Sequence, residues 1–128
     1  MKDFTGLLKA AAAARRHAYA PYSRFPVGAA LQTAGGKIFT GCNIENVSFG
    51  LTVCAERVAV FTAVAAGQKE LAALALVADT PEPPMPCGAC RQVLHEFNPT
   101  IWIVCAGLNG KKRIFRLSEL LPEAFTEF

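Results

Sequence analysis

The stretch Leu71 to Ala78, Leu-Ala-Ala-Leu-Ala-Leu-Val-Ala, is the longest unbroken apolar run in the chain. It is far short of the roughly 20 residues that a membrane-spanning helix needs. A short run with no polar residue at alternate positions reads as a strand in the middle of a sheet covered on both faces. Other elements must therefore pack against each side of it. Ile101 to Ala106 is a second strand of the same kind.

The flanking sequence supplies the covers. Asp3 can cap a first helix running to about His17, with Ala10 to Ala14 as strong helix formers. Ala20-Pro21-Tyr22 ends it. Val27 to Thr33 and Lys37 to Cys42 read as strands joined by a tight turn at Ala34-Gly35-Gly36. Asn43 to Thr52 is a loop. Cys54 to Ala66 reads as a helix closed by Gly67. Its apolar residues lie nearly all round, so both of its sides should be covered, the second by another subunit. Pro81-Glu82-Pro83-Pro84-Met85-Pro86 is a stiff loop, Cys87 to Phe97 a short helix, and Asn109-Gly110 a hairpin turn before a last strand, Lys111 to Leu117. Leu117 to Phe125 closes the chain as a helix. The order α-β-β-α-β-α-β-β-α predicts an α/β sandwich with a mixed sheet, in a single domain spanning residues 1–128.

At 128 residues and 52 % hydrophobic content, the chain can bury a core and does not have the composition of a disordered segment. Its net charge of +3 is too weak to argue for nucleic acid. The N-terminus shows no secretory signal, since Ala10 to Ala14 runs into Arg15-Arg16. The cytoplasm is the expected location. Five cysteines make an odd set for a disulfide framework, and in a reducing compartment thiols serve more often as metal ligands, nucleophiles or core residues.

Cys87 and Cys90 form a Cys-x-x-Cys at a helix start, where residues three apart face the same side. Cys54 opens a different helix. Helix N-termini favour thiolates, so two such starts aimed at one ion make a ready thiolate site. Structural zinc sites are normally closed by four protein ligands, and catalytic ones leave a place for water. Three cysteines with no obvious fourth ligand therefore point to catalysis. By spacing alone His95 stays open as a fourth ligand. Glu56, two residues after Cys54, would stand near the metal and could take a proton from an activated water.

Cys54-Ala55-Glu56 with Pro86-Cys87-Gly88-Ala89-Cys90 resembles the zinc deaminase signature in its all-cysteine form. The likeness extends through Phe25-Pro26-Val27-Gly28-Ala29-Ala30, Gly41-Cys42-Asn43-Ile44-Glu45-Asn46 and Cys90-Arg91-Gln92, in order, to the small homotetrameric cytidine deaminases. The resemblance implies a three-layer α/β/α sandwich around a five-stranded mixed sheet. It implies Zn²⁺ on Cys54, Cys87 and Cys90, with Glu56 as proton shuttle. Asn43 and Glu45 would bind the ribose 3′-hydroxyl, Phe25 would pack on the pyrimidine, and the Ala55 main chain would contact the base. Phe125 would enter a neighbour's active site in a homotetramer with shared sites. Phe49 departs from the pattern, since many members carry Tyr there.

Some of these readings have a physical basis of their own. A short Asn-x-Glu loop offers both donor and acceptor to a sugar hydroxyl. Arg57 could donate to thiolate sulfurs and offset the negative charge of a three-thiolate zinc site. Cys42 and Cys105 lie in strand-like apolar segments outside any motif and read as core residues. His17 and His95 read as helix-surface residues, and Lys111-Lys112-Arg113 with Arg116 as a solvated hairpin.

The expected reaction is deamination of cytidine and 2′-deoxycytidine to the uridines, with release of ammonia, in pyrimidine salvage. The expected partner is a small pyrimidine nucleoside, with neither nucleic acid nor membrane. A deaminase of a modified cytosine nucleoside is one alternative. One acting on single-stranded nucleic acid would need an open basic aromatic channel. A non-enzymatic zinc-stabilised domain would need a fourth protein ligand and would have no use for Glu56.

Overall fold

The computed structural model describes residues 3–127. Helix α1 (Thr5–Arg15) leads into strands β1 (Val27–Thr33) and β2 (Ile38–Cys42). A loop with one 3-10 turn at Phe49–Leu51 precedes helix α2 (Ala55–Ala65). Strand β3 (Leu71–Ala78), helix α3 (Gly88–Phe97), strands β4 (Trp102–Gly107) and β5 (Lys112–Arg116) and helix α4 (Leu117–Leu120) complete the chain.

The five strands form one sheet in the order β2-β1-β3-β4-β5. β1 is antiparallel to β2 and β3, β3 is parallel to β4, and β4 is antiparallel to β5. The sheet is therefore mixed, as expected from two hairpins joined by helical crossovers through α2 and α3. β3 lies at its centre, and its continuous apolar run is explained by two different covers. Leu74 and Leu76 point into a core shared with Ala59, Val60 and Ala63 of α2 and Leu94 of α3. Ala73, Ala75 and Val77 point the other way, into a core shared with Phe4, Leu7 and Ala11 of the α1 segment. The result is the three-layer α/β/α sandwich.

Both core faces are lined with small residues where a helix backbone comes close. Gly28 lies under α1 and Gly41 under α2, and in each case a Cβ would meet helix backbone closer than 3 Å. Removing side chains at these positions lets the layers approach beyond the ordinary helix-on-sheet distance.

Several boundaries differ from the expectation. α1 ends at Arg15, and His17 lies in the turn that follows. The N-cap residue is Phe4 and not Asp3, though the Asp3 carboxylate, one residue earlier, accepts from the Thr5 amide at 2.9 Å. α4 stops at Leu120 and does not reach Phe125. Pro122 forces the residue before it out of the helical region, and Leu121 stands at φ −141°. The outer side of α2 is not covered within the chain: Phe61 is 49 % exposed there.

Candidate metal centre and active site

Cys54 is the N-cap residue of α2, and Cys87 is the N-cap residue of α3. Both have extended backbone, so the chain enters each helix from a loop and turns at the cysteine itself. Cys90, one turn into α3, is fully buried. The three sulfurs all lie within 4.8 Å of one another. Cys54 and Cys87 are 3.9 Å apart, and Cys87 and Cys90 3.1 Å. Zinc held by thiolates at about 2.3 Å in a tetrahedron sets neighbouring sulfurs about 3.8 Å apart. The trio fits that ion with only a small opening of the Cys87–Cys90 pair. Among the described residues His95 is not part of the group, so three protein ligands meet here and not four.

The electrostatics around the trio favour thiolate. The Cys54 thiol is held down to about 5, first by a hydrogen bond from Cys90 and then by Arg57 and Cys87, against the opposing effect of burial. Arg57 donates from Nη2 to the Cys54 Sγ at 3.5 Å. The same Cys54 interaction, with burial, pushes Cys90 up. One of the two sulfurs thus carries the charge and the other the proton. The Cys90 amide also donates to the Cys87 sulfur at 3.4 Å, using one of the free N–H groups at the start of α3.

Glu56 is 4 % exposed, and its burial pushes the carboxyl up to about 7, with the Cys54 charge adding to the effect. A carboxyl poised near neutrality can both take and give a proton. Cys54, Ala55, Glu56 and Cys87 line a cavity of about 250 Å³. Phe25, Asn43 and Glu45 line the same cavity.

Asn43 and Glu45 are held by the segment that carries Phe25. The Asn43 side chain donates to the Phe25 carbonyl and accepts from the Val27 amide, both at 2.9 Å. The Glu45 carboxylate accepts from the Tyr22 and Ser23 amides at 2.9 and 3.0 Å and from the Ser23 hydroxyl. These bonds hold its carboxyl below the ordinary carboxylate value, the Ser23 hydroxyl contributing most. Both side chains keep acceptor or donor capacity that these contacts do not use.

Phe125 does not line this cavity. It is 59 % exposed, and its backbone exchanges hydrogen bonds with the Gln92 side chain at 2.8 and 3.2 Å. Phe49 packs edge-on against Tyr22, ring centroids 5.9 Å apart, in a hollow beside the cavity. Cys105 is buried, and burial pushes its thiol up to about 12, which suits a core residue. In the hairpin, Lys111, Lys112 and Arg113 are exposed, as the solvated-turn reading expects, while Arg113 lies 4.7 Å over the Phe115 ring and the half-buried Arg116 3.6 Å over the Trp102 ring.

Three contributors had no signal in the sequence. Ser23 orders Glu45, and Met85 and Pro84 line the cavity. Arg91 donates from Nε to the Pro86 carbonyl and from Nη1 to the Leu120 carbonyl, both at 2.8 Å, fixing the turn into Cys87. The motif marked Arg91 only through its place in Cys90-Arg91-Gln92.

Residues 1–106 match the family model described as the cytidine and deoxycytidylate deaminase zinc-binding region. A cytidine deaminase of Halalkalibacterium halodurans is 53 % identical over 121 residues, covering 94 % of this chain and 92 % of the relative. One from Sporosarcina psychrophila is 48 % identical, covering 98 % and 93 %. The crystal structure of cytidine deaminase from Burkholderia pseudomallei superposes with a TM-score of 0.93 at 52 % identity, covering 97 % of this chain and all of that one.

Proposed function

The chain belongs to the cytidine and deoxycytidylate deaminase family, and from that membership we propose that it hydrolyses cytidine and 2′-deoxycytidine to uridine and 2′-deoxyuridine, consuming one water and releasing one ammonia. The observation that carries this reading is the meeting, in one cavity, of two cysteines of the metal cluster, a buried carboxyl and the Asn43/Glu45 pair.

Cys54, Cys87 and Cys90 would hold the zinc, which when bound would act as a Lewis acid and lower the pKa of water toward ~7. The residues of the chain do the rest. Glu56 takes one proton of the attacking water and delivers it to ring N3, then takes the second from the hydroxyl now on C4 and hands it to the amino group, which leaves as ammonia. Burial near neutrality suits one carboxyl to both roles. Asn43 and Glu45 bind the ribose hydroxyl. A site that hydrogen-bonds a hydroxyl rejects analogues without it, because its own polar groups are then left unpaired. Phe25 packs on the pyrimidine, and the Ala55 main chain meets the base at the start of α2. Arg57 offsets the charge of the thiolates.

The whole chain acts as one domain, and the enzyme works as a homotetramer with shared sites in the reducing cytoplasm, in pyrimidine salvage. Support for assembly comes from the apolar groove of about 430 Å³ between the 44–53 loop and α2, with Ile44, Leu51 and Phe61 open to solvent. In that assembly Phe125, which is exposed on its own chain, enters a neighbour's cavity.

The test is the ultraviolet absorbance of cytidine incubated with zinc-loaded protein beside Glu56→Gln. Conversion by the native protein alone supports the reading. No conversion with one zinc bound per chain removes it and turns attention to modified cytosine nucleosides.

A further inference from the structure

Gly41 sits on the edge strand β2, under the first turn of α2. A Cβ there would stand 2.5 Å from the Ala55 carbonyl oxygen, 2.5 Å from the Ala59 nitrogen and 3.0 Å from the Val58 carbonyl carbon. All three are helix backbone atoms, so no side-chain rotation relieves the contact. Ala55 and Ala59 are an i, i+4 pair, the hydrogen-bonding spacing of an α-helix. The helix would have to move as a body, by about 0.9 Å to reach the 3.4 Å of ordinary contact.

The position of this contact matters more than its tightness. Gly41 runs through Cys42 into Asn43 and Glu45. Ala55 stands between Cys54 and Glu56. The Gly41–Ala55 approach thus joins two segments that both line the cavity, the one carrying Asn43 and Glu45 and the one carrying Cys54 and Glu56. Ile44 and Val53 tie the same two segments by reciprocal backbone hydrogen bonds of 3.0 Å, so the tether and the close contact act together.

We propose that Gly41 is a positioning residue: its missing side chain sets the distance between the Asn43/Glu45 pair and the Cys54/Glu56 segment of the cavity. This rests on the functional reading above. With Gly41 in place, one nucleoside spans both segments, its sugar on the pair and its reacting carbon at Glu56. With a Cβ there, α2 lifts, Glu56 leaves its reach, and Cys54 shifts relative to Cys87 and Cys90 on α3. A displacement of about 1 Å near reacting groups can cost about 10²-fold in rate.

Gly110 provides the control. It stands in the β4–β5 turn at φ +89°, where an L side chain is strained. No residue of that turn lines the cavity. Gly110→Ala should cost stability without touching either of the two cavity-lining segments.

The experiment compares wild type, Gly41→Ala, Gly110→Ala and Ala59→Ser, the last adding a smaller wedge on α2 at a fully buried position. For each, kcat and KM for cytidine, the thermal midpoint, and the thiolate-to-metal absorption band of the cobalt-substituted protein are measured. Gly41→Ala is expected to lose at least about tenfold in kcat, to raise KM, and to shift the cobalt band. Ala59→Ser should show the same changes in smaller measure. Gly110→Ala should lower the thermal midpoint while kcat, KM and the band stay at wild type. The inference is overturned if Gly41→Ala keeps wild-type kcat, KM and cobalt band, or if Gly110→Ala reproduces its losses. If Gly41→Ala does not fold, Ala59→Ser against Gly110→Ala decides on the same readings. A wild type that binds metal but leaves cytidine unchanged overturns the functional reading instead, and the cobalt band alone then decides the role of Gly41.

Discussion

Ser23 donates to Glu45 twice, its hydroxyl to Oε2 and its amide to Oε1 at 3.0 Å, across 22 residues of chain. The carboxylate that would bind substrate is thereby oriented before substrate arrives. The Glu45 carboxyl is held below its ordinary 4.5, with the Ser23 hydroxyl as the largest cause. A carboxyl with a depressed folded value stabilises the fold above the ordinary value, and that stability is lost as pH falls through the depressed one. Ser23→Ala should therefore flatten the acid limb of the stability curve below pH 4.5. It should also raise KM for cytidine several-fold with little change in kcat, because the binding carboxylate becomes mobile. Acid unfolding curves and steady-state kinetics on the same samples check both.

Arg91 joins three parts of the chain. It belongs to α3 and donates to the carbonyls of Pro86, just before Cys87, and Leu120, at the end of α4. Hydrogen bonds from a charged donor contribute about 1.5–3 kcal/mol each. Arg91→Ala should lower stability by about 3 kcal/mol or more and speed the release of zinc, because the turn that presents Cys87 loses its brace. Arg91→Lys should recover little, since one ammonium cannot make the forked contact. Urea unfolding midpoints and zinc release to a chromogenic chelator measure the two effects.

The residues that were legible in the sequence had simple local rules behind them. Leu71 to Ala78 reads as a doubly covered strand because neither face of it can meet water, and Leu74 and Ala75 do point into different cores. Cys54 and Cys87 were legible because a cysteine at a helix start announces a thiolate site, and both are N-cap residues. What stayed hidden depends on how loops fold over the site. Nothing in the spacing of Pro83-Pro84-Met85-Pro86 says that Met85 lines the cavity, and nothing local links Ser23 to Glu45. The early end of α4 was legible in principle. Pro122 excludes helix at Leu121, but the apolar pattern through Phe125 hid that stop.

Glu56 separates binding from chemistry. It is buried and lines the cavity, while the Asn43/Glu45 pair is held by its own hydrogen bonds to the 22–27 segment, so its removal should spare sugar binding. Glu56→Gln keeps the volume and loses the proton transfer. We expect kcat to fall about 10³-fold or more, with KM within about threefold and one zinc still bound per chain. Steady-state kinetics with metal analysis reads all three. A Glu56→Gln protein with near-native kcat would mean that another group moves the proton.

Cys54 and Arg57 give the last prediction, on metal removal. With the metal stripped by a chelator under reducing conditions, the Cys54 thiol stands at about 5, lowered first by Cys90 and then by Arg57 and Cys87. At pH 7 it is therefore a thiolate and a better nucleophile than Cys90, which is buried and whose thiol is pushed up. Cys105 is buried with its thiol pushed up to about 12, and should not react until the chain unfolds. Brief treatment with iodoacetamide, read by peptide mass spectrometry, should label Cys54 before Cys90 in the stripped protein and none of the trio in the zinc-loaded one. Arg57→Ala removes the donor 3.5 Å from that sulfur. It should slow the labelling of Cys54 and speed zinc loss, because three thiolates around one Zn²⁺ carry a net −1 that the guanidinium no longer offsets. Equal labelling and equal zinc retention in Arg57→Ala would mean that Arg57 serves only to pack the first turn of α2.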